Sequence, residues 1–402
     1  MSAEPSSSAL SGLKRKLLVS LALGLVVVFA VAVYGDLPKI SESLGKFEWK
    51  YLPAILGLTL ANYLLRFVKW QFYLGLIGVR ELSKLESFQI FFSGLSMVMT
   101  PGKVGEWLKS FLLKESTGIP LSASAPIIIA ERLSDGLAMI LLASGGLFLY
   151  RHGWQILVVF MAGCLGLVAV SQNRELVEKL FAAGEHLPLF SQRIHHLRMF
   201  YESAYQLFRY RNLVLATGLG LISWAGECVA FYLVLIGLGI SSSPLLLLQA
   251  AFILAASTLI GSISMLPGGL AIAEGSIAGL LLMLGVTVEP SMAATATLLI
   301  RFCTLWFGVA VGIVALLFYS RKVSGPRHSH LVESKRCGSD EPHITTEGRR
   351  HHPQMASDDT HSVSLNDGSD RAEEKNARVR DTPADYDQVR IEQMSEVDDA
   401  NS

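Results

Sequence analysis

The chain has 402 residues, of which 51% are hydrophobic and only 17% are charged, and its formal net charge is zero. Residues 1–320 contain 22 Lys and Arg against 17 Asp and Glu, whereas residues 321–402 contain 12 against 17. Soluble domains carry about 25% charged residues, so this composition excludes an ordinary soluble enzyme. With a net charge near zero and four unpaired-looking Cys, it also excludes a basic nucleic-acid binder and a disulfide scaffold.

Six apolar stretches are long enough, at about 20 residues, to be considered as membrane-crossing helices. They cover 17–34, 51–79, 121–149, 154–170 (a short one), 213–239 and 290–319. Two further apolar regions, 87–117 and 244–286, are each interrupted near the middle by Pro-Gly. The sequence therefore predicts an all-α polytopic membrane protein with about six full spans and two broken hairpins, either re-entrant or crossing.

The basic residues of the short loops predict the orientation. Lys14, Arg15 and Lys16 place the N-terminus (1–16) in the cytoplasm, and six Lys and Arg place the 171–212 connection there too. The first apolar run is longer than a usual signal-peptide core, so we interpret it as an uncleaved anchor. The polar residues 321–402 are predicted to form a disordered cytoplasmic tail. The membrane domain is thus 17–320, in a cell (inner or plasma) membrane.

The two broken regions resemble each other in sequence and enter from opposite faces in this topology. Each continues to a Glu, then to a Gly and finally to a spanning helix with an Arg; the matched positions are Pro101, Gly102, Glu106 and Arg132 in the first region and Pro267, Gly268, Gly269, Glu274 and Arg301 in the second. The two Glu-to-Arg separations are 26 and 27 residues. Inverted repeats with interrupted helices are typical of secondary transporters with a site near the membrane midplane.

Ionisable residues within predicted spans are the main candidates for a binding site, because burying each of them in the bilayer is costly. Arg66 and Lys69 share a helix face beside Trp70, and Glu131, Arg132 and Asp135 follow each other on another span. For Asp135 with Arg132 a structural ion pair is an open alternative, and Lys109 and Lys114 are interpreted as snorkelling to the interface. The predicted substrate-binding residues are Arg66, Lys69, Trp70, Pro101, Gly102, Glu106, Glu131, Arg132, Asp135, Glu227, Pro267, Gly268, Gly269, Glu274 and Arg301.

The sequence contains no signature of a cofactor or metal site in the membrane. No His lies in any predicted span, and neither Pro-Gly region is a Gly-x-Ser-x-Gly elbow or a nucleotide-binding motif. We therefore expect no catalytic residue and no cofactor, and a protein that is not an enzyme.

Five segments carry a family resemblance, and they occur in order along the membrane domain. They are NYLLRFVKWQFYLGLIG (62–78), PGKVGEWLKSFLL (101–113), APIIIAERLSDGLA (125–138), MLPGGLAIAEGSIAGLLLMLG (265–285) and the last-span Arg301. Together they resemble the lysylphosphatidylglycerol synthase transmembrane, flippase-like family, the membrane half of the bacterial multiple peptide resistance factor. Residues 321–402 are too few for the aminoacyl-transferase domain of that factor, and Ala273 stands where relatives commonly have a basic residue.

The resemblance implies a protein that moves or handles lipids with bulky polar headgroups. We expect a flippase that translocates an aminoacyl-phospholipid or a polyprenyl-phosphate-linked sugar, with the anionic headgroup bound near Arg66, Arg132 and Arg301. Two alternatives stay open: a membrane-embedded glycosyl- or phospho-transferase with Glu106 or Asp135 as general base, and an accessory subunit of a lipid-modifying enzyme. The expected partner is a membrane lipid and not a nucleic acid; a lipid-synthesising enzyme and a homo-oligomeric partner are left open.

Overall fold

The fold is all-α, as the sequence predicts, and no strand occurs among the residues that the structure describes. The structure is a computed structural model. It describes residues 22, 24–31, 33, 35–80, 82–98, 107–147, 154–185, 194–264, 266 and 269–323. The predicted disordered tail from residue 324 onwards, part of the first predicted span and both Pro-Gly dipeptides lie outside the described residues, whereas residues 321–323 of the predicted tail are helical.

Thirteen α-helices are numbered here in chain order within the described part of the chain, beginning at residue 37. They are α1 Leu37–Lys46, α2 Leu52–Leu76, α3 Lys84–Leu95, α4 Trp107–Thr117, α5 Leu121–Leu147, α6 Trp154–Gln172, α7 Arg174–Glu185, α8 Ile194–Leu207, α9 Tyr210–Gly237, α10 Pro244–Ile263, α11 Ile272–Met283, α12 Pro290–Arg301 and α13 Phe307–Val323. A 3₁₀ turn, Trp49–Tyr51, precedes α2, and a π-helix, Phe302–Trp306, joins α12 to α13.

Four of the described helical segments are long and apolar enough to cross a membrane. They are Trp49–Leu76, Tyr210–Gly237, Pro244–Ile263 and Pro290–Tyr319, and a fifth candidate is the pair Leu157–Gln172 and Arg174–Ala183, which bends by 75°. Helix α5 has 27 residues and is long enough to cross a membrane, but it is not among these four apolar segments because Glu131, Arg132 and Asp135 lie near its middle. The larger number of spans drawn from the sequence stays a prediction.

The starts of two helices follow directly from local sequence. Ser83 caps α3: its hydroxyl oxygen accepts a hydrogen bond from the Glu86 backbone N–H at 3.2 Å, the pattern of a capping box. Ser243 caps α10 in the same way through Leu246 at 3.0 Å, and Pro244 takes the first helical position, where its missing N–H costs nothing. Helix α10 therefore starts at a sharply defined residue, and it supplies one wall of the cavity described below.

The 171–212 connection is largely helical, which its prediction as a loop did not include. Helices α7 and α8 occupy most of it. In α7 the apolar residues Leu176, Val177, Leu180 and Phe181 recur at helical spacing between charged ones, the pattern of an amphipathic helix. Leu176 and Leu180 are exposed.

Two large apolar cores hold the membrane helices together. One is built mainly from α2, α3, α4 and α5, and the other mainly from α9, α10, α11 and α12. Helix α13 packs on α3 at a buried glycine, Gly312: a Cβ atom there would lie 2.7 Å from the Leu95 carbonyl carbon and 2.8 Å from the Ser96 Cα. The close approach of these two helices thus requires glycine at position 312.

We expect Gly312→Ala to lower the free energy of unfolding by about 1–3 kcal/mol, because the added methyl group meets backbone and not a movable side chain. Thermal unfolding of the purified protein in detergent measures the effect. Gly275→Ala is the matched control, since a Cβ atom at Gly275 meets nothing within 4 Å. The control should gain up to about 1 kcal/mol from better helix propensity. Equal losses in the two variants would contradict the packing argument.

Candidate functional site

A cavity of about 350 Å³, lined by apolar side chains and by a set of charged and polar ones, lies among the spanning helices. Its walls come from helices that are far apart in sequence, including α2, α5, α9, α10 and α12. The polar and charged residues that line it are Asn62, Tyr63, Arg66, Arg132, Asp135, Trp224, Glu227, Thr258, Ser262, Arg301 and Thr304. A cavity of this size can hold a small polar headgroup.

Three arginines from three different helices line the same cavity. Arg66 belongs to α2 and Arg132 to α5, and Arg301 is the last residue of α12. The side chains of Arg66 and Arg301 keep 16% and 15% of their surface exposed, so both are largely enclosed by protein. Guanidinium groups bind phosphate and carboxylate oxygens through parallel N–H donors, so this wall can recognise an anion.

Buried ion pairs connect the cavity residues Arg66, Asp135 and Arg301 to charged partners on neighbouring helices. Asp135 forms a salt bridge with Lys69 and lies 3.8 Å from the Arg66 Nη2. Arg301 donates from Nε to the Glu274 Oε1 at 2.5 Å. The side chains of Lys69, Asp135 and Glu274 are each at most 5% exposed. Pairing of this kind is what allows charges to persist in a membrane-spanning bundle.

Lys109 forms a third buried pair, and the interpretation that it snorkels to the interface is wrong. Its side chain is 7% exposed, and its Nζ lies 2.5 Å from the Glu131 Oε2. The same Nζ lies 5.0 Å from the ring centre of Trp70 and 5.1 Å from that of Phe91, within cation–π distance. Helix α4 buries this face against α3 and α5, so the ammonium group finds partners inside the protein. Lys114 on the same helix is exposed.

The salt bridges of Asp135 among the described residues join it to another helix, whereas the open alternative paired it with Arg132. The sequence places Arg132 three residues before Asp135 on one helix, but the salt bridges that Asp135 forms are with Lys69 and Arg66 of α2. The reason is that α2 and α5 pack with these residues facing each other, and Ser134 also accepts a hydrogen bond from Lys69 at 3.2 Å. Arg132 lines the cavity together with Asp135.

The remaining predicted site residues fall into three groups. Glu227 and Gly269 line the cavity together with the three arginines and Asp135. Lys69 and Glu274 are the ion-pair partners of the lining residues Asp135 and Arg301, and Glu131 pairs with Lys109. Trp70 is fully buried in the core, where its Nε1 donates to the Ser87 Oγ at 3.1 Å. Pro101, Gly102, Glu106, Pro267 and Gly268 lie outside the described residues.

A π-helix begins directly after Arg301. Single π turns inside α-helices occur frequently at functional sites, because they leave backbone carbonyls without their usual partners. Here the Tyr63 hydroxyl donates to the Thr304 carbonyl within the π turn. Both residues line the cavity, so this bond ties α2 to the segment that positions Arg301.

Sequence reasoning missed the uncharged polar residues of the wall, among them Asn62, Tyr63 and Trp224. A search for charged residues in the predicted spans does not find them, but their spacing from the charged residues could have indicated them, because residues three or four apart share a helix face. Asn62 precedes Arg66 by four residues, and Trp224 precedes Glu227 by three, so each shares a face with a charged cavity residue. The ring of Trp224 also lies 6.0 Å from the Arg66 guanidinium carbon.

The arrangement defines a class: a helical integral membrane protein with three arginines on the wall of a cavity between its spanning helices. In the described part of the chain, no group of three His, Cys, Asp or Glu side chains is placed to hold a metal ion. The chain belongs to the family described as the lysylphosphatidylglycerol synthase TM region, whose model matches residues 17–312.

Similar proteins come from Methanothermobacter thermautotrophicus (strain Delta H), and each is named a UPF0104 membrane protein. One is 24% identical over 332 residues, which cover 78% of this chain and 96% of the relative. A second is 25% identical over 338 residues, covering 78% and 98%. A third is 21% identical over 342 residues, covering 77% and 95%. Their names state membrane location and no activity.

Proposed function

We propose that this protein is a lipid flippase or transporter that moves a phosphate-bearing lipid with a polar headgroup across the membrane. The observation that carries the proposal is the convergence of Arg66, Arg132 and Arg301 on one cavity. The transported lipid is an aminoacyl-phospholipid or a polyprenyl-phosphate-linked sugar. The phosphate binds the arginines, and the polar remainder of the headgroup occupies the rest of the cavity.

The charges of the wall support an anionic ligand. The cavity lining has three cations and two carboxylates, Asp135 and Glu227, an excess of one positive charge. Asp135 shares its negative charge between Lys69 and Arg66, so part of the positive charge of the three guanidinium groups stays uncompensated. A phosphodiester supplies one negative charge and several acceptor oxygens, which match this excess and the fork geometry of arginine.

The broken helices support a transport mechanism. Helices α10 and α11 are separated by a break in which Gly269 has φ +69° and Ala271 has φ +69°, and α11 begins beside the cavity wall. The proposal treats this region and the α3–α4 region as an inverted repeat, with about six spans in addition and both termini in the cytoplasm of a cell membrane. One repeat would rock against the other, exposing the bound headgroup to each leaflet in turn.

Within the proposed repeat, the Glu274–Arg301 pair has a counterpart in sequence. Glu274 and Arg301 are 27 residues apart and form an ion pair at 2.5 Å. Glu106 and Arg132 are 26 residues apart at the matching positions of the first region. A repeat of this kind would bring one arginine from each half to a shared cavity, and the position of both Arg132 and Arg301 on the cavity wall supports it.

Transbilayer lipid movement in proteoliposomes tests the proposal. The purified protein is reconstituted with fluorescent phosphatidylglycerol, and a membrane-impermeant quencher reports how much of the label reaches the outer leaflet. We expect Arg132→Gln and Arg301→Gln each to slow the movement at least about tenfold, because a charge-assisted hydrogen bond contributes about 1.5–3 kcal/mol. Arg211→Gln is the control, since Arg211 is exposed at the start of α9.

Unchanged movement in folded Arg132→Gln and Arg301→Gln protein would contradict the site. Movement absent from the wild type, together with product formation from a soluble activated sugar donor, would favour the transferase alternative instead. A protein that moves no lipid and makes no product by itself, but restores activity to a lipid-modifying enzyme, would favour the accessory role.

A further inference from the structure

Glu227 differs from the other acidic residues that the described spanning helices bury. Glu131, Asp135 and Glu274 each form a salt bridge with a lysine or an arginine. Glu227 is 3% exposed and lines the cavity from the middle of α9. Within the described part of the chain, its carboxyl group forms no salt bridge and no hydrogen bond. Its carboxyl group is therefore the one in this set whose charge is not compensated by a direct partner.

The groups that face Glu227 come from several helices. Arg66 of α2 and Arg301 of α12 line the same cavity as Glu227, and their positive charges favour its ionised form. The other titratable or charged groups near it are Tyr63 of α2, Arg132 and Asp135 of α5, Cys303 of the π-helix and its own neighbour Cys228. The Tyr63 hydroxyl donates to the Thr304 carbonyl, and Asp135 is held by Lys69. Arg66 and Arg301 are thus the cations that stabilise an ionised Glu227.

These two arginines are also the groups that the proposed function assigns to the phosphate. An ionised carboxylate buried at membrane depth is costly, and nearby cations offset that cost. A phosphate bound to the same guanidinium groups places a second negative charge beside the carboxylate. The two cations then stabilise the ionised carboxylate less than they do in the empty cavity. Two like charges around shared cations favour protonation of one of them, and the carboxyl group is the weaker acid of the two.

We propose that Glu227 is a proton-binding site, and that it takes up one proton when a phosphate anion binds to Arg66 and Arg301. This inference rests on the proposed function. The proton comes from water and adds to a carboxylate oxygen, and no other bond is made or broken. The anion and the proton bring opposite charges, so the loaded cavity has the same net charge as before. The lipid anion and the proton then cross the membrane together, and a pH gradient supplies the driving force.

Calorimetric titration with a short-chain phosphatidylglycerol tests the coupling in detergent. The probe is a phosphodiester, so unlike a phosphomonoester it does not itself change charge in the neutral range. Titrations in two buffers of different ionisation enthalpy count the protons taken up per anion bound. We expect proton uptake in the wild type, and an affinity that rises as the pH falls, by up to about tenfold per pH unit.

Three variants separate Glu227 from other titrating groups. Glu227→Gln is neutral at every pH, so it should bind the probe without proton uptake and with an affinity that is flat with pH. Glu227→Asp keeps a carboxyl group and should keep the uptake. Glu289→Gln is the matched control, because Glu289 is exposed at the start of α12, and it should behave as the wild type. In proteoliposomes, an imposed pH gradient should speed lipid movement by the wild type and not by Glu227→Gln.

The outcomes distinguish the two proposals. Phosphatidylglycerol that binds to the wild type with no proton uptake between about pH 6 and about pH 8 would overturn the coupling and leave the flippase proposal standing. Equal uptake in Glu227→Gln and the wild type would overturn the role of Glu227. No binding of the probe to folded wild-type protein would overturn the phosphate site, and the coupling with it.

Discussion

Lys69→Met should lower the free energy of unfolding by about 3–5 kcal/mol, the range observed when one member of a buried ion pair is removed. Lys69 is 1% exposed and forms a salt bridge with Asp135, which is itself 5% exposed. Without Lys69, the salt bridge that remains to this carboxylate among the described residues is the longer one to the Arg66 Nη2, at 3.8 Å. The large effect arises because a buried charge loses its partner, while the methionine fills most of the lysine's volume.

A double variant shows whether the loss comes from the unpaired carboxylate. Lys69→Met combined with Asp135→Leu removes both charges of this pair, and replacing a buried ion pair by apolar side chains is often neutral. Arg66, which also contacts Asp135, keeps its place on the cavity wall in this variant. We therefore expect the double variant to recover most of the stability that Lys69→Met loses. Thermal unfolding in detergent measures all three proteins, and the double-mutant cycle isolates the interaction between the two side chains.

The surface pair of Lys39 and Asp36 is the matched control for this cycle. Its Nζ–Oδ2 distance is 3.4 Å, but the two side chains are 66% and 50% exposed. Exposed ion pairs contribute little to stability because water solvates both charges, so Lys39→Met should leave the unfolding temperature almost unchanged. If Lys69→Met were as mild as Lys39→Met, the buried charges would not depend on each other.

The sequence alone predicted which charged residues to examine, because ionisable side chains are rare in apolar helices. Arg66, Arg132 and Arg301 stood out for that reason, and the structure brings all three to one cavity. The all-α class followed from the length and spacing of the apolar runs. These features depend on composition and local periodicity, which a single sequence displays directly.

The sequence alone could not predict which charged residues form salt bridges with each other. Helical periodicity shows which residues share a face, but not which neighbouring helix covers that face. Asp135 was therefore considered with Arg132 on its own helix, whereas its partner Lys69 is 66 residues away. Lys109 was assigned to the interface for the same reason, since nothing local indicates that α4 buries it against Glu131. The π-helix after Arg301 likewise has no local signature that was recognised.

Filling the cavity without changing its charges should abolish transport. Gly136 of α5 lines the cavity, and a Cβ atom built there has only the Phe160 ring nearby, at 3.8 Å. We expect Gly136→Phe to place its ring in the space of about 350 Å³ that the headgroup needs. Lipid movement in proteoliposomes should fall to the level of protein-free vesicles, and the binding of phosphatidylglycerol in detergent should be lost with it.

Stability gives the second readout for Gly136→Phe. Glycine inside a helix costs about 1 kcal/mol relative to a good helix former, and the cavity leaves room for the new side chain, so the variant should unfold at the wild-type temperature or slightly above it. Gly218→Phe is the matched control, because Gly218 lies on the exposed face of α9 with nothing within 4 Å of a built Cβ atom. It should retain transport. A stable Gly136→Phe protein that moves lipid at the wild-type rate would show that the headgroup takes a path outside this cavity, and the arginines would then have to act as structural partners of the buried acids.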